Sequence, residues 1–124
     1  MNARGEQTIL TPSQVGQYIK GFMDRDRLLS GLLVRGELSN YKRYPSGHHY
    51  FTLKDGEGAL RCVMFRSDAA SLRFQPQNGM QVIAAGRVTV FPRDGQYQLY
   101  CVRLTPEGAG DLAVAFEQLK ARLL

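Results

Sequence analysis

No apolar run in the 124-residue sequence approaches the roughly 18 residues a helix needs to cross a bilayer, and the opening MNARGEQT is too polar for a secretory signal. The expectation is a cytoplasmic protein with no membrane partner. Cysteine is scarce: Cys62 and Cys101 lie far apart, each within an apolar run, so they read as reduced core residues rather than a disulfide or zinc framework. Histidine is confined to the adjacent His48 and His49, which on a strand point to opposite faces and cannot readily share an ion. Asp55 and Glu57 fall in a tight turn, no serine stands in a plausible His and Asp constellation, and GEGAL and GRV are too short for a phosphate loop. No catalytic residue, metal ligand or cofactor site is legible, and whether the chain takes part in an enzyme is left open.

What is present suits a single domain. The mass is 13.9 kDa, and 44% hydrophobic with 22% charged residues is the composition of a soluble globular protein. The net charge is +5. Its excess is concentrated mid-chain, where residues 32–66 hold six Lys and Arg against three Asp and Glu. That placement favours an anionic partner, although a basic solvated surface would look the same.

After a polar leader at 1–10, Thr11 is placed to cap a helix, Pro12 suits its first position and Gln14 completes a capping box. Val15, Ile19, Phe22 and Met23 recur at helical spacing over 12–24, which predicts an apolar face packed on the body. Gly31 closes the segment. From Leu32 the period becomes two, in LLVRGELSN, with Leu32, Val34 and Leu38 on one side. NYKRYPSG reads as a loop. HHYFTLKD and ALRCVMFR form a hairpin across DGEG, with His49, Phe51, Leu53, Leu60, Cys62 and Met64 inward and Tyr50, Arg61, Val63 and Phe65 outward. SDAASLRF suggests a short helix. MQVIAAGRVTVF is a long strand with a bulge or bend expected at Gly86, and PRDGQ turns into YQLYCVRL. A second amphipathic helix is expected over 111–124, with Leu112, Phe116, Leu119 and Leu123 along one stripe. It meets no stop signal, which suggests a chain cut from something longer.

Five strands with two hairpins, a connecting element between strands 3 and 4 and a helix at each end predict a mainly β fold. The expected form is a five-stranded Greek-key OB-fold barrel. A small open α+β sheet is the competing architecture. In an OB barrel strands 2 and 3 and the 1–2 and 4–5 loops form the ligand surface. On that frame the outward set is Tyr50, Lys54, Arg61, Phe65 and Arg66, with Arg35 beside them on strand 1. Tyr41, Lys42, Arg43 and Tyr44 come from the 1–2 loop and Arg93 from the 4–5 loop, and His48 is placed to donate to phosphate. Cations that follow phosphates, interleaved with rings that stack on bases, are what single-stranded nucleic acid asks for. No protruding element suited to a duplex groove is apparent.

Each residue also has a plainer reading. Phe65 would be core if its strand carried a bulge, and Tyr50 could simply cover the barrel. Lys42 and Arg43 could be solvated loop cations, and Arg35 could pair with Glu37 or a carboxylate on a neighbouring strand. A second function class, an assembly module that docks through its barrel or helices without nucleic-acid affinity, fits the apolar helical stripes.

The blocks GELSN at 36–40, SGHHYFTLKD at 46–55, LRCVMFR at 60–66, GMQVIAAGRVTVFPRDGQYQLY at 79–100 and FEQLKARL at 116–123 resemble the N-terminal domain of exodeoxyribonuclease VII large subunits. The opening LTPSQVGQYIK is similar as well. The resemblance implies an OB domain over 11–108 that holds single-stranded DNA. It also implies a helix start at 109–124 leading to a nuclease domain absent from this chain, and a long helical region that gathers small subunits. The parent hydrolase would degrade single-stranded DNA from either end to oligonucleotides, without requiring a divalent metal. The family's nucleic-acid contacts would fall on Phe65 and Arg66, and His49 is given no role.

Overall fold

In a computed structural model, which describes residues 7–107, five strands close into a barrel in the order β1-β2-β3-β5-β4. They are β1 (Leu32–Arg43), β2 (His49–Lys54), β3 (Ala59–Met64), β4 (Gln81–Phe91) and β5 (Gln96–Glu107). Helix α1 (Pro12–Arg25) precedes them, and the single-turn α2 (Arg66–Ala69) links β3 to β4. Strand β1 pairs with β4 through its first half and with β2 through its second, so one long strand serves two sides of the barrel. A short parallel pairing of β3 with β5, Cys62 with Leu99 and Val63 with Tyr100, completes the circuit. The expected architecture is the observed one. The expected 111–124 helix lies outside the described residues.

Alternation places the core. Leu38, Phe51, Leu53, Cys62, Met64, Val82, Leu99, Cys101 and Leu104 are buried inside the barrel. Both thiols are free, and burial first of all pushes them up, Cys101 to about 12, which makes them inert hydrophobes at neutral pH. Gly86 marks a register shift in β4, as its position in the strand predicts. A Cβ there would collide with the carbonyl oxygen of Tyr100, so only glycine lets β4 and β5 approach this closely.

Three expectations need correction. Tyr41, Lys42 and Arg43 belong to β1 and not to the 1–2 loop. Asn40 takes a φ of 52°, the register slips between Ser39 and Lys42, and the Tyr41 N–H donates to Asn78 Oδ1 instead of the ladder. Pattern reading sees Asn and Pro and ends the strand; the chain instead absorbs a bulge and continues. Val63 points outward by parity yet is 3% exposed, because its cross-strand neighbours are Tyr50 and Tyr100.

The third correction concerns α1. Its capping box, Thr11 with Gln14, forms as expected. The face that meets the barrel, however, runs through Gly16, Lys20 and Met23, so Met23 of the predicted stripe packs on the barrel as expected while the contact face otherwise lies one residue round from Val15 and Ile19. Gly16 lies against Pro92, and the Thr89 hydroxyl donates to Asp24 Oδ1 at 2.7 Å. Val15, Ile19 and Phe22 therefore stay exposed, together with Tyr18.

Candidate nucleic-acid interface

Cross-strand register assembles a row on the outside of the barrel. Lys42 stands opposite Tyr50, Tyr50 opposite Val63, Val63 opposite Tyr100 and Tyr100 opposite Arg87. Directly paired residues share a face, so these side chains lie side by side across β1, β2, β3, β5 and β4. The Tyr44 ring meets Tyr50 edge-on at 5.0 Å. Tyr100 stacks on Phe65 at 5.8 Å, and the Arg87 guanidinium lies 4.8 Å from the Tyr100 ring centroid.

Phe65 is the most informative residue of the group. It follows the last residue of β3 and occupies the N-cap of α2, with extended backbone angles. Its carbonyl accepts from the N–H groups of Asp68 and Ala69, which fixes the backbone, while a phenyl side chain cannot cap. Ser, Thr, Asp or Asn at an N-cap is worth about 1 kcal/mol more than an apolar residue, so this ring is placed at a local cost. It is 46% exposed, in a T-shaped contact with the His48 ring at 5.4 Å and stacked with Tyr100. The alternative in which it joins the core does not hold.

His48 and Arg66 frame that ring. His48 Nδ1 accepts from the Arg66 backbone N–H at 2.9 Å, so in the neutral ring the proton sits on Nε2. Gly47, at φ 95°, leaves room for the Arg66 stem to fold over it; a Cβ there would sit 2.6 Å from Arg66 Cγ. The side chains of Arg66, Lys42, Lys54 and Arg93 are exposed and make no hydrogen bond or ion pair among the described residues. Arg61, exposed four residues before Phe65, donates to Gln96 Oε1 at 2.6 Å. The 1–2 loop thus lies at the Phe65 end of β3, and the 4–5 loop that carries Arg93 lies beyond its Arg61 end. Lys54 shares this second end, opposite Glu37 on β1.

Other residues expected on this face lie elsewhere. Tyr41 is half-buried and stacks flat on the core ring of Phe51 at 5.0 Å. Burial pushes its phenol up to about 12, and its hydroxyl pairs with His49 Nδ1 at 2.7 Å. His49 is held below the ordinary imidazole value by burial first and by the Arg43 guanidinium second. Arg43 lies 5.0 Å from the Tyr41 ring and donates to the Pro76 carbonyl at 2.8 Å, which ties the end of β1 to the segment before β4. Arg35 is on the β4 side, where its Nε donates to the Glu107 carboxylate at 2.9 Å. Arg35 is thus an ion-pair residue, as its plainer reading had it, but its partner is neither Glu37 nor a carboxylate on an adjacent strand: Glu107 belongs to β5, one strand beyond β4.

Sequence reading missed Tyr100 and Arg87. Alternation in YQLYCVRL already puts Tyr100 outward once Leu99 and Cys101 are taken as core. Arg87 needed the register across the Gly86 irregularity, which no local pattern shows.

Comparison with known proteins agrees with this fold. Residues 10–105 match the family model described as an OB-fold nucleic acid binding domain. The exodeoxyribonuclease 7 large subunit of Clostridium acetobutylicum is 53% identical over 116 residues, 94% of this chain and 29% of that protein. Its counterpart in Ruminiclostridium cellulolyticum is 52% identical over 115 residues, 93% of this chain and 28% of that protein. The chain therefore spans under a third of the length of these relatives. Among solved structures, a chain of a replication protein A heterotrimer bound to ssDNA aligns with a TM-score of 0.53 at 19% identity, over 77% of this chain and 73% of that one. Asparaginyl-tRNA synthetase from Pyrococcus horikoshii aligns with a TM-score of 0.51 at 18% identity, over 75% of this chain and 22% of that one. At such identities the likeness is one of fold alone. The chain belongs to the family of OB-fold nucleic acid binding domains, and its sequence is similar to a segment of exodeoxyribonuclease 7 large subunits.

Proposed function

We propose that this domain grips single-stranded DNA on the outer face of β2, β3 and β5 and holds it for cleavage by other parts of a longer exodeoxyribonuclease VII large subunit. The observation that carries this reading is the exposed Phe65 ring at a fixed strand end, flanked by Tyr100 and His48 and followed by Arg66. Bases would stack on Phe65 and Tyr50, while Arg61, Arg66, Lys42 and Lys54 follow phosphates and His48 donates through Nε2. Arg93 would meet the strand only at the far end. The nuclease centre, the small subunits and the cytoplasmic address come into this proposal through the similarity to the large subunits. Among the described residues no three His, Cys, Asp or Glu side chains converge on a metal site.

Titration of a labelled oligonucleotide at several salt concentrations tests the grip. With about four phosphates neutralised, log affinity should fall against log salt with a slope near −3. Micromolar affinity is expected at low salt, because one short patch must offset the ordering of a flexible strand. Salt-independent binding, or none at low salt, would refute the reading.

The outward apolar side of α1 favours a second reading, docking on another protein. Val15, Tyr18, Ile19 and Phe22 share it, and Tyr18 meets Phe22 edge-on at 5.1 Å. Light scattering after size-exclusion chromatography separates the two: a stable oligomer with no oligonucleotide affinity supports docking alone.

A further inference from the structure

Beside the aromatic row the barrel wall sinks into an open groove of about 880 Å³, a volume within the range of small-ligand sites. Its cause is local. The floor is β4 at Ala85 and Gly86, residues with almost no side chain, while Leu33 of β1 rises on one side and Tyr100 and Val102 of β5 on the other. Gly86 cannot be filled by a larger residue, because the Tyr100 carbonyl occupies the space a Cβ would need. The depression is therefore built into the strand pairing.

The chemistry of the walls is mixed. Leu33 is 41% and Val102 51% exposed, a large apolar surface to leave in water. Arg87 and Arg103 stand along it, and no carboxylate lines it among the described residues. Asp24, 3.9 Å from Arg87, is the nearest counter-charge, and it is already engaged by Lys20 and Thr89. Phe65 and Tyr100 belong both to this groove and to the face described above. A flat apolar cleft with guanidinium groups and no acid fits a nucleobase with its phosphate.

Resting on the DNA-holding reading, we propose that the bound strand does not stop on β2, β3 and β5. It crosses Phe65 and Tyr100 and seats a further nucleotide in this groove, the base against Val102 and Leu33 and the phosphate on Arg103 or Arg87. The site takes an unpaired nucleotide because duplex pairing would keep the base edge from reaching the floor.

The chain has no tryptophan, so Val102→Trp installs a single fluorophore in the groove and Tyr18→Trp a control on α1. Addition of a 15-nucleotide oligothymidylate should quench the Val102→Trp emission with the half-saturation found by anisotropy, and leave Tyr18→Trp unchanged. Arg103→Gln, a surface change, should weaken binding about three- to tenfold at low salt and flatten the salt slope by about 0.7. If the oligonucleotide binds and Phe65→Ala weakens it, while Val102→Trp stays silent and Arg103→Gln binds like the parent, the groove is wrong and the grip stands. If no oligonucleotide binds, both are wrong.

Discussion

Replacing Phe65 by Ser separates binding from folding at one position. The ring is 46% exposed and touches His48 and Tyr100, so it contributes only part of the 1.5–3 kcal/mol a fully buried phenylalanine gives, about 1 kcal/mol. Serine returns a similar amount, since its hydroxyl can cap α2 where the phenyl cannot. Net stability should change little, within the roughly 4–8 °C of Tm that 1 kcal/mol represents in a domain of this size. A ring that stacks on a base contributes about 1–3 kcal/mol to binding, so Kd should rise by about 5- to 150-fold. Thermal unfolding and a fluorescence-anisotropy titration on the same sample give both numbers. An unchanged Kd with unchanged Tm would refute the stacking role. A collapse in Tm would show that the ring supports the barrel.

Further outcomes follow from particular contacts. Arg66→Gln should reduce affinity and make the salt slope less steep by about 0.7, whereas Arg35→Gln, already paired with Glu107, should leave binding within about twofold in the same titration. Gly86→Ala should destabilise by about 1–3 kcal/mol in urea unfolding, because the new methyl meets the Tyr100 carbonyl. His49 is held below its ordinary value of 6.5, so the unfolded chain takes up a proton there more readily than the folded one. Its stabilising contribution is present above 6.5 and is lost as pH falls below it; His49→Asn should flatten the pH dependence of Tm in that window.

Much of the barrel was legible because alternation is enforced by burial. Phe51, Leu53, Cys62 and Met64 had to face one way, which left Tyr50, Arg61 and Phe65 facing the other. The legible part stops where register, rather than parity, decides the outcome. Asn40 and the slip after Ser39 turn Tyr41 toward Phe51 and bring Arg43 to the Pro76 carbonyl, and nothing local in NYKRYPSG announces a bulge. Arg35 is similar: its partner Glu107 lies 72 residues away and becomes a neighbour only when β1, β4 and β5 pair. The orientation of α1 escaped for another reason. Glycine carries no weight in an apolar stripe, yet Gly16 is the residue that lets the helix approach Pro92.

The central claim is that unpaired DNA lies across the outside of β2, β3 and β5. Amide chemical-shift mapping of the isotope-labelled chain with a 15-nucleotide oligothymidylate tests it most directly. The largest shifts should fall at His48, Tyr50, Arg61, Phe65, Arg66 and Tyr100, with α1 unmoved. Shifts confined to α1 or to the Arg35–Glu107 side would contradict it.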